Sequence, residues 1–291
     1  MNIQNRQLVS IILPNYNHAD YLASRLESIY NQSYQNFEVI LLDDCSTDSS
    51  LSILSMYKDH PKTSHFIVNK INSGSPFKQW QKGLSLAKGQ FIWIAESDDY
   101  CNLNFLESQL QHIQQRSLDV VVAETKVVNK DSITGRTEHP IFKQKDELKI
   151  SLDYFLYCPI LNVSSIIFKK TLIKDAFRYT NYRLIGDRVF YFDAFHNKKI
   201  ALNPLTQSYF RKEGESVSTL NSKGLNYLIK YYREHQRFAE EAYKANKIDS
   251  KLYRSYVQRF FNRVNNRLSK TEKLNLKYLL MRLKYYKDIK K

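Results

Sequence analysis

From Val9 to Ala95, short apolar runs alternate with stretches whose apolar residues recur at helical spacing. The runs are VSIIL (9–13), FEVILL (37–42), HFIVN (65–69) and FIWIA (91–95), rich in β-branched and aromatic residues. A run that is apolar at successive positions reads as a strand covered on both faces, as in a parallel sheet. Between the runs, Leu22, Leu26 and Ile29 within 19–31, then Leu51, Ile53 and Leu54, then PFKQWQKGLSLAK (76–88), read as helices. Ser46 or Thr47 stands where it can cap the second. Pro76 in the first turn and Gly89 just past the end bracket the third. This βαβαβαβ order predicts right-handed crossovers and a mainly parallel α/β sheet.

Past Asp99 the rhythm loosens. The pattern predicts a helix over 104–115, strands at DVVVAE (119–124) and TKVVNK (125–130), a polar loop over 131–145 and a strand at VSSIIF (163–168). A helix over 187–196 opens at Gly186-Asp187, with Asp193 on its outer face, and KIAL and QSYFR follow as short extended segments. From Leu225 onward the chain reads as helical throughout. Leu252, Tyr256, Phe260, Val264 and Leu268 form one apolar stripe, and Leu276, Leu279, Leu280 and Leu283 another.

Charge divides the chain where this pattern changes. Residues 1–220 hold 25 Lys/Arg and 23 Asp/Glu, a net +2, whereas 221–291 hold 19 and 6, a net +13. We therefore expect one α/β domain over 1–220 and a basic helical extension over 221–291. With only 7 glycines and no G-x-G, dinucleotide and P-loop signatures are absent. The three cysteines are scattered and the histidines lack metal-ligand spacing, so a reduced, cytoplasmic setting is expected. The apolar stretch Leu8 to Leu13 is too short for a signal peptide. No window nears the ~18 apolar residues of a membrane helix.

Candidate chemistry lies in two acid clusters at strand ends. Asp43-Asp44 closes FEVILLDD, and Glu96, Asp98 and Asp99 close FIWIAESDD. Parallel strands bring such residues to the carboxyl edge of the sheet, where open α/β sheets bind ligands. Like charges gathered there repel unless a cation or hydrogen-bond donors sit among them. A metal ion, a ligand, or both are implied. The competing readings are a solvated acidic turn for 96–99 and N-terminal helix caps for Asp43 and Asp44.

The succession LPNYN (13–17), LLDDCSTD (41–48), NSGSPFKQWQKGLSLAKGQFIWIAESDD (72–99), Gly186-Asp187 and YFRKEGESVS (209–218) resembles the family 2 glycosyltransferases of GT-A fold, over roughly residues 7–220. The resemblance implies a Rossmann-like, mainly parallel sheet flanked by helices. It also implies inverting transfer of a sugar from a nucleotide-diphospho donor, UDP-linked by the base-binding residues, to a glycan or lipid-linked acceptor. Asp98 and Asp99 fill the family's D-x-D position, one for Mn²⁺ or Mg²⁺ and the other for ribose; hard cations favour such oxygen ligands. Glu96 stands where many members have the first aspartate, which leaves the division among the three open. Asp44 matches the aspartate that accepts the uracil N3–H, and Pro14, Asn15 and Tyr16 match the loop that meets the base. Asp187 falls at the position of the catalytic base, where the family often shows Glu-Asp rather than Gly-Asp; a helix cap would equally suit it. Arg211 matches a position near the diphosphate or acceptor, and an arginine fork suits phosphate. Trp80 and Trp93 read as packing, and Lys78 and Lys82 as a solvated helix face.

Basic residues and aromatics in 221–291 suit adsorption to an anionic membrane surface, ahead of simple packing on the body. That would place the protein on the inner face of the plasma membrane. Nucleic acid is not expected as a partner, since no recognised motif is present. Two other functions compete. A sugar nucleotidyltransferase needs a Gly-rich basic signature near its first strand, where LPNYNHADYL has none. A non-catalytic nucleotide-sugar binding module would use the same residues without transfer.

Overall fold

The computed structural model describes residues 7–129, 132–137, 148–149, 155–158, 160–174, 176–212, 220 and 222–290. Strands β1 (Val9–Asn15), β2 (Phe37–Asp43), β3 (Thr63–Val68) and β4 (Phe91–Ile94) pair in parallel in the order β3-β2-β1-β4. β1 and β2 are buried at every residue, as their unbroken apolar pattern requires, while β3 takes the partly wet edge. Helices α1 (Ala19–Tyr30), α2 (Ser50–Ser55) and α3 (Pro76–Leu86) make the crossovers. α2 starts later than its sequence suggests, and neither Ser46 nor Thr47 caps it. The Asp48 carboxylate instead accepts the Ser50 and Ala19 N–H groups, so one acceptor serves the starts of α1 and α2.

Beyond β4 the sheet turns mixed. β5 (Tyr100–Cys101) and α4 (Phe105–Arg116) precede β6 (Val120–Asn129), which spans both strands predicted there. The predicted polar loop contains β7 (Ser132–Thr137), paired antiparallel to β6, and β8 (Leu148–Lys149) follows. In VSSIIF only β9 (Ile166–Lys169) is extended; Val163–Ser165 is a 3-10 turn capped by the Asn162 side chain. β9 lies between β4 and β6, antiparallel to both. Helix α5 (Gly186–Phe195) then leads into β10 (Lys199–Arg211), parallel to β6 and antiparallel to β5. KIAL and QSYFR are thus one strand, interrupted between Asn203 and Gln207 where Pro204 cannot donate to the ladder.

The basic tail forms α6 (Leu225–Lys244), α7 (Ser250–Asn265) and α8 (Leu276–Asp288). One apolar cluster runs from Ile12 in the sheet through Phe190 and Phe238 to Tyr256 and Tyr285, so body and tail share a core. The stripe of Tyr256, Phe260, Val264 and Leu268 is buried in it. The second stripe is not: Leu276, Leu279, Leu280 and Leu283 face solvent, because α8 turns Tyr278, Met281 and Tyr285 inward, with Tyr285 stacked on Phe261. No described helix is long and apolar enough to cross a membrane.

Asp193 is not on an outer face. Its carboxylate takes a fork from Arg178 (2.8 and 3.0 Å), and the same guanidinium reaches Glu241 of α6 at 2.7 Å. This latch ties α5 to the tail. Arg178→Ala is expected to lower the unfolding free energy by about 1–3 kcal/mol, reduced by solvent screening around Glu241. A shift of the urea midpoint at unchanged slope measures it.

Candidate active site

Because β1, β2 and β4 are parallel neighbours, their carboxyl ends emerge side by side, carrying the loop at 15–17, Asp43-Asp44 and residues 95–99. Pro14 lies inside β1 beyond Ile12, the last residue paired with β4, so its missing N–H breaks no ladder bond. Asn15 is buried and donates to Asp43 Oδ1 at 3.0 Å and Ser46 Oγ at 3.2 Å. Of these loop residues only Tyr16 offers an exposed ring. Asn17 follows in a left-handed conformation that turns the chain into α1.

Asp44 is a buried hub. Oδ1 accepts Asn69 Nδ2 (2.6 Å), the Ser73 N–H (2.9 Å) and Gln79 Nε2 (2.8 Å), while among the described residues Oδ2 accepts only the Ser73 hydroxyl (2.7 Å). One acceptor direction on Oδ2 is left over, since each carboxylate oxygen offers about two. Asp43 does not share this task; it accepts the Ser46 N–H and hydroxyl and holds the loop closed. Lys78 and Lys82 are not merely solvated, because Lys78 donates to the Ser73 carbonyl and Lys82 to Asn69 Oδ1, fixing the segment that holds Asp44.

The second cluster is graded in burial. Glu96 accepts the Trp80 indole N–H at 2.7 Å. Burial, with Asp98 beside it, pushes its carboxyl up to about 8. Asp99 is buried, accepts the Arg211 N–H at 3.1 Å, and is pushed up to about 7 by burial and Asp98. Asp98 is half-buried, and its carboxylate makes no hydrogen bond to the described residues. Arg211 is buried, not a surface residue. Its Nε donates to the Asp98 carbonyl at 3.1 Å and its guanidinium lies 4.8 Å from the Tyr21 ring centre.

Arg25 escaped the sequence reading. It is fully buried on α1, 4.9 Å over the Trp93 ring, and its three guanidinium nitrogens lack hydrogen-bond partners among the described residues. Its charge bears on Asp99, Asp98 and Glu96, which makes it an internal counter-charge to the cluster. The available signal was a cation three residues after Leu22 and four before Ile29, inside the apolar stripe of α1.

Asp187 begins α5, half-buried, and desolvation raises its carboxyl pKa against the opposing pull of Arg188. Gly186 is required by close approach: a Cβ there would stand 2.4–2.6 Å from the Phe77 ring. That ring accounts physically for Gly where the family often has Glu. Helix α3 therefore binds the site together. Phe77 abuts Gly186, Gln79 holds Asp44, and Trp80 holds Glu96. Tyr191, one turn beyond Asp187, has its phenol pKa raised by burial and by the charges of Asp187 and Glu96, which border the same interior. Trp80 is thus part of the site, whereas Trp93 packs on Phe105 and donates to the Ser164 carbonyl.

Among the described residues no group of three or more His, Cys, Asp or Glu forms a metal cage. A nucleotide-borne Mg²⁺ needs only one or two carboxylates, with phosphates and water completing its shell. Asp98 and Asp99 fit that requirement, and the raised carboxyl pKa values of Glu96 and Asp99 mark a cluster short of positive charge.

Comparison with known proteins agrees with this geometry. The chain is 36% identical over 116 residues to glycosyltransferase GlyG of Streptococcus pneumoniae (40% of this chain, 38% of the relative). It is 30% identical over 222 residues to a poly(ribitol-phosphate) beta-glucosyltransferase of Bacillus spizizenii (72% of this chain, 33% of the relative). It thus spans between about a third and two fifths of these relatives' lengths. The crystal structure of S. aureus TarS 1–349 with UDP-GlcNAc superposes with a TM-score of 0.67 at 22% identity, covering 97% of this chain and 81% of that one. A family model, Glycosyl transferase family 2, matches residues 10–176, more than half of the chain. With that match, and with a GT-A sheet carrying its acid clusters at the expected strand ends, the chain belongs to glycosyltransferase family 2.

Proposed function

We propose that this chain transfers a sugar from a UDP-sugar to a hydroxyl of a glycan or lipid-linked acceptor, with inversion at the anomeric carbon. The observation that carries the reading is the convergence on helix α3 of Asp44, Glu96 and Gly186, the residue next to Asp187. The acceptor oxygen attacks the anomeric carbon opposite the diphosphate, its proton passes to Asp187, and the bond from the sugar to UDP breaks. A base whose pKa is raised toward neutrality suits that step. Asp44 Oδ2 receives the uracil N3–H, with Tyr16 against the ring. Mg²⁺ or Mn²⁺ held by Asp98 or Asp99 would neutralise charge on the departing diphosphate. Arg211 is hydrogen-bonded to the acidic loop, and Arg25 lends it a buried counter-charge. The beta-glucosyltransferase named among the relatives supports a polyol- or glycan-type acceptor, and the TarS complex with UDP-GlcNAc supports a UDP-linked donor.

Thermal stabilisation by UDP-, GDP- and dTDP-sugars, with and without Mn²⁺, tests the reading, since a ligand of the native state raises Tm. UDP-sugars should stabilise most, and only fully with Mn²⁺. Asp98→Ala should keep the unliganded Tm and lose the Mn²⁺-dependent part of the shift. An equal shift in wild type and variant would remove Asp98 from the metal site.

A further inference from the structure

We infer that α8 is an adsorption surface for an anionic lipid bilayer, lying along the membrane plane with its leucine face inward. Leu276, Leu280 and Leu283 are 68%, 52% and 60% exposed, Leu279 is 38% exposed, and Leu274 just before the helix is 77% exposed. At ~100° per residue the four helical leucines and Tyr286 occupy an arc of about 120°, opposite the buried Tyr278, Met281 and Tyr285. The helix is therefore anchored by one face and leaves its other apolar face uncovered.

Charge selects the occupant. Exposed Lys277 and Lys284 border the leucines on one side, Arg282 stands on the other, and exposed Lys287 falls among them. The one acid of the helix, Asp288, is turned inward and hydrogen-bonded to Gln236. Glu240 of α6 lies 3.8 Å from Lys284 and offsets part of that charge, yet the exposed rim stays net cationic through Lys277, Arg282 and Lys287. An apolar strip with such a rim is complementary to a plane of acyl chains under anionic headgroups. A second copy would set lysine against lysine, which disfavours self-association. At 13 residues the helix is about 20 Å long, so it lies on a bilayer and does not span one. The inference is independent of the chemistry at Asp187.

Co-sedimentation of the full chain with phosphatidylcholine vesicles, with and without phosphatidylglycerol, tests it. Wild type is expected to pellet with the anionic vesicles and to be released by high salt. Leu280→Gln with Leu283→Gln should weaken that binding by about tenfold or more at unchanged Tm, since both side chains are exposed. Lys277→Gln with Lys287→Gln should weaken it and flatten its salt dependence. Equal pelleting with neutral and anionic vesicles, or binding undiminished in the leucine variant, would overturn the inference. So would a dimer in sedimentation velocity that the leucine variant abolishes, because a second copy would then be the occupant.

Discussion

Asp187→Asn is expected to lower turnover for sugar transfer by about 10²–10⁴-fold, the range for losing a positioned base, while UDP-sugar affinity stays within about twofold. Stability should move the other way. The folded pKa of Asp187 is raised by desolvation, so the stability linked to its proton is fully present below the unfolded pKa and is lost as pH rises through the folded value. Asparagine carries no such ionisation. The variant's Tm should therefore match wild type near pH 4 and equal or exceed it near pH 8. Dead catalysis in a protein at least as stable as its parent separates loss of a base from loss of the fold. Turnover above about a tenth of wild type would transfer the base role to another group and leave Asp187 as a first-turn acid of α5 that interacts with the helix dipole.

Much of this architecture was legible because burial on both faces leaves an unambiguous record. VSIIL and FEVILL could only be central strands, and the acids following them had to meet at one sheet edge. The antiparallel half was harder to read. β6 and β10 each appear as two segments, because Glu124 and Thr125 break one apolar run and Pro204 breaks the other. Polar hubs leave even less trace. Nothing in Gln79, Asn69 or Ser73 announces that each will donate to Asp44, since those contacts depend on how α3 and the preceding segment dock. Arg25 did leave a mark, a charge inside an apolar stripe, whose meaning depends on what lies across the interface. The tail shows the opposite error: Leu276 to Leu283 satisfy helical spacing, yet the alternating tyrosines and Met281 fix the rotation of α8. Tyr278, Met281 and Tyr285 are the buried face, with Tyr285 stacked on Phe261, so periodicity identifies two apolar faces and packing selects one.

The hub at Asp44 combines structure and selectivity, and substitution can separate them. Asp44→Ala strands the Asn69 and Gln79 amides and the Ser73 N–H, at a cost of about 2–4 kcal/mol in unfolding free energy. Ser73→Ala deletes one donor to Asp44 and a hydroxyl that also accepts from Gln79 Nε2, leaves the Asp44 carboxylate in place, and should cost about 1–2 kcal/mol with donor preference intact. Asp44→Asn is the sharper probe. Uracil offers a donor at N3 where cytosine offers an acceptor, and an asparagine amide can satisfy either. UDP affinity should fall about 10- to 100-fold, and the preference for UDP over CDP should narrow by a similar factor. Competitive binding of the two nucleotides measures this directly. If the preference survived at its full value while stability fell, Asp44 would organise the segment around Ser73 without touching the base, and the uracil contact would belong to another residue of the same loops.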